Sequence, residues 1–269
     1  MSLTRMDIHV HNKYSSDAKG STEDVLKEAC RKNLEYLAFT NHVPPDPTWL
    51  HDLKREVEEL KDKYEVEVLA GAEIGIRDVD GNLFISPRYL SELDFVLVAD
   101  HILPGVPYKY SNGIYFKDPL LENFTKEEVI EKWFKSIVKA IESRLVDAVA
   151  HIGWVIVQEH VVESLKEVPS EYKKSIAEKA AEYNVFIEVN TGAQLPDEEL
   201  IKYCLREGAK LVLGSDAHEP SVVGEVEWGL KLLSRLGATK DDLASFEDAL
   251  KRIEGRRKLA SNIISLKTV

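Results

Sequence analysis

The sequence lacks several features that would assign it to particular protein classes. Its 269 residues contain only two cysteines, Cys30 and Cys204, which excludes a cysteine-based metal site by count. Both lie in helical patterns, as small buried side chains do in a reducing compartment. No apolar run approaches the roughly 18 residues that span a bilayer, and no signal peptide is recognisable. We therefore expect a cytoplasmic protein with no membrane partner.

Basic residues are also scarce relative to acidic ones. There are 35 Lys and Arg against 47 Asp and Glu, which gives a formal net charge of -12. This balance disfavours a basic footprint, so we expect no long nucleic acid as a partner. The G-x-G-x-x-G motif of dinucleotide sites is missing after the first predicted strand. Residues 1–3 are compatible with an added leader, in which case Met6 is the natural start.

What the chain does contain is a regular alternation of short apolar runs and longer amphipathic stretches. The apolar runs predict seven strands, at 6–10, 36–40, 66–74, 95–99, 148–150, 185–189 and 210–213. Strands that alternate with helices form a parallel sheet with right-handed crossovers. The length and the 44% hydrophobic content suit one large core. These features predict an α/β barrel of seven or eight units, with an open doubly wound sheet as the competing fold.

Glycine and proline add three local predictions. Asp80-Gly81-Asn82 predicts a tight turn within a small excursion. The stretch 102–124, rich in Tyr, Gly and Pro, predicts a long functional loop. Gly237 and Gly255 predict breaks between the last helices.

Histidines concentrate where the predicted strands end. Six of the eight histidines do so, and the active site of an α/β barrel lies at these ends. His9 and His11 are two residues apart in one strand, so both project to the same face. Asp216 and His218 repeat this spacing, and we expect them across the barrel mouth from the first strand. Imidazole and carboxylate ligands suit Zn²⁺, Mn²⁺ or Fe. Nine candidates would serve two or three ions: His9, His11, Asp17, His42, Glu73, His101, His151, Asp216 and His218.

As a set, these motifs resemble those of the PHP (polymerase and histidinol phosphatase) family. The matching residues are Asp7-x-His9-x-His11, Asn41-His42, Gly71-x-Glu73, His101, His151 and Ser215-Asp216-Ala217-His218. The resemblance covers essentially the whole chain. It implies a distorted (β/α)7 TIM-like barrel, a single domain over residues 1–269, that holds two or three divalent metals and hydrolyses phosphate esters.

The resemblance also implies how the ligands divide. Four would bind one metal, namely His9, His11, Glu73 and Asp216. Glu73 would bridge to a second metal held by His101 and His151. His42 and His218 would hold a third with Asp17, at a position where the family often has His. Asp7, Asn41 and Asn190 would orient the ligands through hydrogen bonds without binding a metal themselves. Asn41 stands where the family commonly has Asp.

Within the family, the chain looks most like the stand-alone histidinol-phosphatase-like members. That resemblance implies hydrolysis of a small-molecule phosphate monoester by a metal-bound hydroxide near Glu73. An Arg or Lys should clamp the phosphate, and the candidates are Arg77, Lys109 and Lys117.

Three alternatives stay open. The same metals would serve a phosphodiesterase or exonuclease that acts on nucleotides or oligonucleotides. An amidohydrolase-type deaminase also carries His-x-His on its first strand, but such enzymes often need a lysine after strand 4, where this chain has Asp100-His101. The last alternative is a non-catalytic metal-binding barrel.

Overall fold

The apolar runs form the parallel strands of a nearly closed barrel in the computed structural model. The structure describes residues 3–43, 47–105, 108–111, 114–117 and 124–267, with backbone alone for 108–111, 114–117 and 266–267. The strands are β1 (Met6–Val10), β2 (Tyr36–His42), β3 (Glu67–Gly75), β4 (Val96–Ala99), β5 (Tyr108–Ser111), β6 (Ile114–Lys117), β7 (Ala148–Val149), β8 (Phe186–Asn190) and β9 (Leu211–Gly214). The helices are α1 (Thr22–Arg31), α2 (Leu50–Leu60), α3 (Pro87–Glu92), α4 (Lys126–Glu142), α5 (Trp154–Gln158), α6 (Ser170–Tyr183), α7 (Glu198–Glu207), α8 (Glu227–Arg235) and α9 (Phe246–Lys267).

Seven strands pair in parallel in the order β1-β2-β3-β4-β7-β8-β9. The first and last strands are neighbours, because Val10 bridges Ala217 and the amide of His11 donates to the Ala217 carbonyl at 2.8 Å. The distorted (β/α)7 barrel is thereby confirmed. The expected position of Asp216 and His218 across the mouth from the first strand is wrong, since barrel closure brings the two ends of the sheet side by side.

Strand register decides which site residues become neighbours. The parallel pairing of β2 with β3 runs without a shift and sets His42 beside Glu73. Gly71 precedes Glu73 on the same face of β3, and a Cβ there would lie 2.4 Å from the carbonyl oxygen of Phe95. Because Gly71 has no side chain, the backbone at Phe95 can approach β3 closely. This close approach keeps Glu73 in its register.

Side-chain caps define where several helices begin. Ser21 and Asp24 form a capping box at α1, and Thr125 and Glu128 form another at α4. Asp197 caps α7 by accepting a hydrogen bond from the amide of Leu200. These caps satisfy amide groups that have no partner within the helix.

The C-terminal helix α9 crosses the predicted break without interruption. Gly255 lies within α9, so the predicted break there is wrong, whereas Gly237 does end a helical segment with a φ of +82°. Arg256, next to Gly255, is fully buried and donates to Asp147 at 2.7 Å and to the Leu93 carbonyl at 2.9 Å. This anchoring outweighs the cost of about 1 kcal/mol that a glycine imposes on a helix.

The stretch predicted as a long loop contains secondary structure. Strands β5 and β6 pair antiparallel from Tyr108↔Lys117 to Ser111↔Ile114. The predicted loop over 102–124 is therefore wrong for 108–111 and 114–117, where β-favouring residues such as tyrosine form paired strands. The predicted turn at Asp80-Gly81-Asn82 is confirmed by a φ of +74° at Gly81. None of the described helices is long and apolar enough to cross a membrane.

Candidate metal centre

The residues that follow the strands converge at one end of the barrel. His9 and His11 project together from β1, with ring centroids 5.1 Å apart. Eight of the nine predicted ligands fall into groups of three whose donor atoms all lie within 4.8 Å of one another. The groups are His11, His42 and His218; His9, His151 and Asp216; His9, His11 and Glu73; and His42, Glu73 and His101.

The Glu73 carboxylate lies at the centre of this cluster and is buried. Its Oε1 atom lies 2.9 Å from His101 Nε2 and 3.0 Å from His151 Nε2. Its Oε2 atom lies 2.8 Å from His42 Nδ1 and 3.5 Å from His9 Nε2. The two oxygens therefore face different imidazoles, as the bridging carboxylate of a two-metal site does.

A second carboxylate approaches the β1 histidines from β9. Asp216 Oδ1 lies 3.4 Å from His9 Nε2 and 3.6 Å from His11 Nε2. Its φ of +58° is in the left-handed region, where aspartate is tolerated better than most residues. Strain of this kind concentrates at functional sites, where surrounding structure maintains it.

Hydrogen bonds fix which ring nitrogen of three histidines faces the cluster. His9 Nδ1 lies 2.9 Å from Glu188 Oε1, and His218 Nδ1 lies 2.9 Å from the Asp216 carbonyl oxygen. His11 Nδ1 lies 3.0 Å from Ser15 Oγ. An acceptor at Nδ1 places the proton there and directs the Nε2 lone pair inward. Three imidazoles thus turn their Nε2 atoms toward the same space.

Two of these inward atoms, His9 Nε2 and His11 Nε2, are buried without a hydrogen-bond partner. Buried polar atoms are almost always satisfied, so a cluster of orphaned lone pairs indicates a missing positive partner. Imidazole nitrogen and carboxylate oxygen are the donor set that Zn²⁺, Mn²⁺ and Fe accept. The residues present therefore fit divalent metal ions.

Asp17 occupies the most open part of the centre. Its Oδ2 atom lies 3.4 Å from both His42 Nε2 and His218 Nε2, and its side chain is about half exposed (53%). It belongs to none of the compact groups of three. The structure thus brings Asp17 to the two histidines predicted to share its metal, at a wider spacing than the rest of the cluster.

Burial and neighbouring charges shift the pKa values of several groups in the cluster. Burial lowers the pKa of His11 to about 3. Burial opposes the charged form of His42 as well, but the adjacent Glu73 and Asp17 carboxylates raise its pKa to about 10. For Glu73, the surrounding imidazoles outweigh burial and hold the pKa of the carboxyl well below its usual range. In the metal-free protein, the Glu73 carboxylate is therefore ionised, and the His42 imidazole holds a proton.

Asp7 fixes the loop that follows β9. It is fully buried, and its carboxylate accepts from the Ser215 amide at 2.9 Å, the Ser215 hydroxyl at 2.6 Å and the Gly224 amide at 2.7 Å. Burial raises the pKa of Asp7, although these donors work against the shift. Because Ser215 precedes Asp216, Asp7 orients a predicted ligand from β1, as expected for a residue behind the cluster.

Asn41 and Asn190 also contact residues of the cluster. Asn41 Oδ1 accepts from the Ser15 hydroxyl at 3.1 Å, and this leaves Ser15 Oγ to accept from His11. Asn190 Nδ2 lies 3.2 Å from Glu188 Oε2 and 3.4 Å from Asp216 Oδ2. Both asparagines therefore sit where they can orient ligands.

The sequence analysis missed three residues that support the ligands: Glu188, Asp100 and Ser15. Glu188 is fully buried, and besides His9 it accepts from the His151 amide at 2.7 Å. Asp100 accepts from the Trp133 indole at 2.7 Å and turns Oδ1 toward His151 Nδ1 at 3.6 Å. A signal existed for Glu188, because it stands two residues before Asn190 in one strand and so faces the same side.

Of the predicted phosphate clamps, Arg77 alone has a described side chain. Arg77 pairs with the adjacent Asp78, at 3.2 Å from Nε to Oδ2, and its side chain is exposed. Lys109 and Lys117 lie on β5 and β6, and their side chains are outside the described part of the chain.

Fold and site together define a parallel α/β barrel with a cluster of side chains suited to divalent metal binding at the carboxyl ends of its strands. A family model described as "PHP domain" matches residues 7–192. The chain belongs to this family.

Individual relatives cover nearly the whole chain. A probable phosphatase of Thermoanaerobacter sp. is 28% identical and covers 94% of this chain and 96% of its own length. A probable histidinol-phosphatase of Clostridium acetobutylicum is 26% identical over 81% of this chain and 88% of its own. The crystal structure of histidinol phosphate phosphatase from Lactococcus lactis, complexed with Zn, L-histidinol and phosphate, superposes with a TM-score of 0.61. It covers 92% of this chain and 98% of that one, at 20% identity, which indicates a shared fold.

Proposed function

We propose that this protein is a metal-dependent phosphatase that hydrolyses a small-molecule phosphate monoester of the histidinol phosphate type. Membership of the PHP family and relatives named as phosphatases support the enzyme class. The observation that carries the proposal is the Glu73 carboxylate, whose two oxygens face different imidazoles.

In this proposal the nine predicted ligands hold two or three ions. His9, His11, Glu73 and Asp216 would hold the first, and Glu73 would contribute to a second together with His101 and His151. Asp17, His42 and His218 would hold a third. The short distances between the donor atoms support these assignments, and the wider spacing at Asp17 makes the third site the weakest.

The chain's own residues prepare the site for phosphate. When bound, divalent metals activate water and neutralise charge on phosphate oxygens. Glu188 and Ser15 hold His9 and His11 in the tautomer that donates from Nε2. Asp7 fixes the loop that carries Asp216. These contacts maintain the donor geometry before substrate arrives, so little reorganisation is needed during reaction.

A cation is needed to orient the phosphate from outside the cluster. Arg77, Lys109 and Lys117 stay our candidates. Arg77 can reach a substrate only if its ion pair with Asp78 breaks. Breaking such an exposed pair costs only about 0–1 kcal/mol of free energy. Its present pairing is therefore compatible with that role.

The test measures metal content and phosphate release in the same samples. Metal-loaded protein should release phosphate from histidinol phosphate and from p-nitrophenyl phosphate. Glu73→Gln should lose bound metal and at least about 100-fold in kcat/KM, because the bridging charge is removed. The control is Glu67→Gln, an exposed position on the same strand. If Glu73→Gln keeps its full metal content and its full rate, Glu73 does not bridge two metals.

Rates on a dinucleotide separate the monoesterase from the phosphodiesterase alternative. We expect faster initial hydrolysis of histidinol phosphate than of the dinucleotide. The opposite order would favour a nucleotide phosphodiesterase, and no hydrolysis of any phosphate ester would favour a non-catalytic metal-binding barrel.

A further inference from the structure

A cavity of about 440 Å³ opens beside the metal cluster. Two predicted ligands, Asp216 and His218, form part of its wall. The remaining wall comes from α5 and from the turn after β8: Trp154, Val157, Gln158, Gly192, Ala193 and Leu195. A phosphate ester held by the cluster would extend its alcohol portion into this space.

The Trp154 indole lies close to the cluster. Its ring centroid is 6.0 Å from that of His101, at an interplanar angle of 83°, and 5.9 Å from that of His151. The Trp154 amide donates to the His151 carbonyl at 2.9 Å. One short segment therefore carries both a predicted metal ligand and the aromatic wall of the cavity.

The backbone between these two residues is tightly constrained. Gly153 has a φ of +95°, and a Cβ there would lie 2.3 Å from Leu165. Its amide donates to Asp100 at 3.0 Å, and His151 itself has a φ of +22°. Such conformations persist only where surrounding contacts impose them. The position of the indole relative to the cluster is thus preformed.

We propose that Trp154 determines specificity and that this cavity takes a planar ring of the substrate alcohol, joined to phosphate through a short linker. The proposal rests on the phosphatase function proposed above. An indole favours planar rings through offset or edge-to-face contact. Val157 and Leu195 add apolar contact, and the Gln158 amide can donate to or accept from the outer edge of the ring. Ring-bearing esters are then preferred over open-chain alkyl or polyol phosphates.

The experiment compares 2-phenylethyl phosphate with n-propyl phosphate. Both are primary alkyl esters with similar leaving groups, so their kcat/KM ratio reports ring recognition. Metal-loaded wild-type protein should prefer the ring by about tenfold to hundredfold, the scale of burying and stacking one aromatic ring. Trp154→Ala should reduce the ratio to within about threefold of unity, and Trp154→Phe should retain most of it.

Two further variants make the result specific. Ala193→Leu fills the cavity without altering the indole and should also lower the ratio. Trp228→Phe, on α8 against the core, should leave the ratio unchanged. Metal content is measured for every variant, and inhibition by 2-phenylethylphosphonate against n-propylphosphonate repeats the comparison without turnover.

The outcomes distinguish the two proposals. A wild-type ratio near one, or an unchanged ratio in Trp154→Ala, overturns the role of Trp154 and leaves the phosphatase proposal standing. If metal-loaded wild-type protein releases phosphate from neither ester nor from p-nitrophenyl phosphate, the phosphatase proposal fails and this one fails with it.

Discussion

At the scale of single residues, the cluster is supported by buried groups that lie behind its predicted ligands. Glu188 shows this best. It is fully buried, its carboxylate accepts from His9 Nδ1 and the His151 amide, and a Cβ at Gly214 would lie 1.9 Å from its Oε1 atom. The absence of a side chain at Gly214 therefore makes room for the acceptor that orients His9.

We predict that Glu188→Ala lowers metal affinity about tenfold to hundredfold, because His9 loses the acceptor that fixes its tautomer. Glu188→Gln keeps an oxygen toward His9 and should lose less. Gly214→Ala should reproduce the loss by displacing the carboxylate. Competition with a chelator measures the affinity, and Glu178→Ala, at an exposed position on α6, is the control. Unchanged affinity in both Glu188→Ala and Gly214→Ala would refute the role.

A second prediction at this scale concerns Asp17. Its exposure and its 3.4 Å distances to His42 and His218 indicate the most labile site. Asp17→Ala should remove no more than one ion per chain and leave the ions near Glu73 in place. Metal analysis after dialysis gives the count. Retention of every ion, or loss of all of them, would contradict the assignment of Asp17 to a separate third site.

At the scale of elements, α9 stabilises the end of the barrel that lies opposite the metal centre. Arg256 and Asp147 form a fully buried ion pair at 2.7 Å, and Asp147 also accepts from the Val96 amide at 2.9 Å. One contact thus joins α9 to the beginnings of two adjacent strands. Because the carboxyl ends of the same strands carry His101 and His151, this helix supports the scaffold of the centre.

We predict that Arg256→Met lowers the free energy of unfolding by about 3 kcal/mol, because the buried Asp147 carboxylate loses its closest cation and keeps only Arg252, at 3.7 Å. The control, Lys258→Met, breaks an exposed pair with Glu254 and should cost about 0–1 kcal/mol. Urea unfolding of both variants measures the difference. Equal midpoints for the two would show that the buried pair does not fasten α9.

At the scale of the whole molecule, the ionisable groups of the centre couple stability to metal and to pH. The pKa of His42 and of His151 is raised to about 10 in the metal-free protein, against the pull of burial, by neighbouring carboxylates. A raised folded-state pKa means that the folded chain holds extra protons between pH 6.5 and 10. The resulting stability is complete below pH 6.5 and is lost as pH rises through 10.

We therefore predict that the chelated protein loses thermal stability between pH 6.5 and 10, while the metal-loaded protein does not show this loss. Metal displaces these protons, so its affinity should rise with pH, and binding at pH 7 should release protons. Saturation at 100 times the dissociation constant adds about 2.7 kcal/mol to folding. Melting curves with and without chelator, and calorimetry in two buffers, provide the measurements. Metal binding without proton release would refute the coupling.

Much of the fold and the centre was predictable from local pattern. Seven apolar runs predicted the seven parallel strands, and the caps at Thr125 and before α1 follow from short-range side-chain preferences. The predicted break at Gly255 was wrong, because the buried contacts of Arg256 outweigh the local preference of glycine. The predicted loop over β5 and β6 was wrong, because strand pairing outweighs the local preferences of glycine and proline. Glu188 was missed because its role depends on the depth of its burial.

The sequence by itself determined which donor groups stand at the ends of the strands, since the two-residue period of a strand and the order of elements are local properties. Only the tertiary structure decided that β9 closes beside β1, that the oxygens of Glu73 divide among different imidazoles, and that Trp154 faces the cavity. These depend on register, barrel curvature and burial, which arise from contacts between segments far apart in the chain.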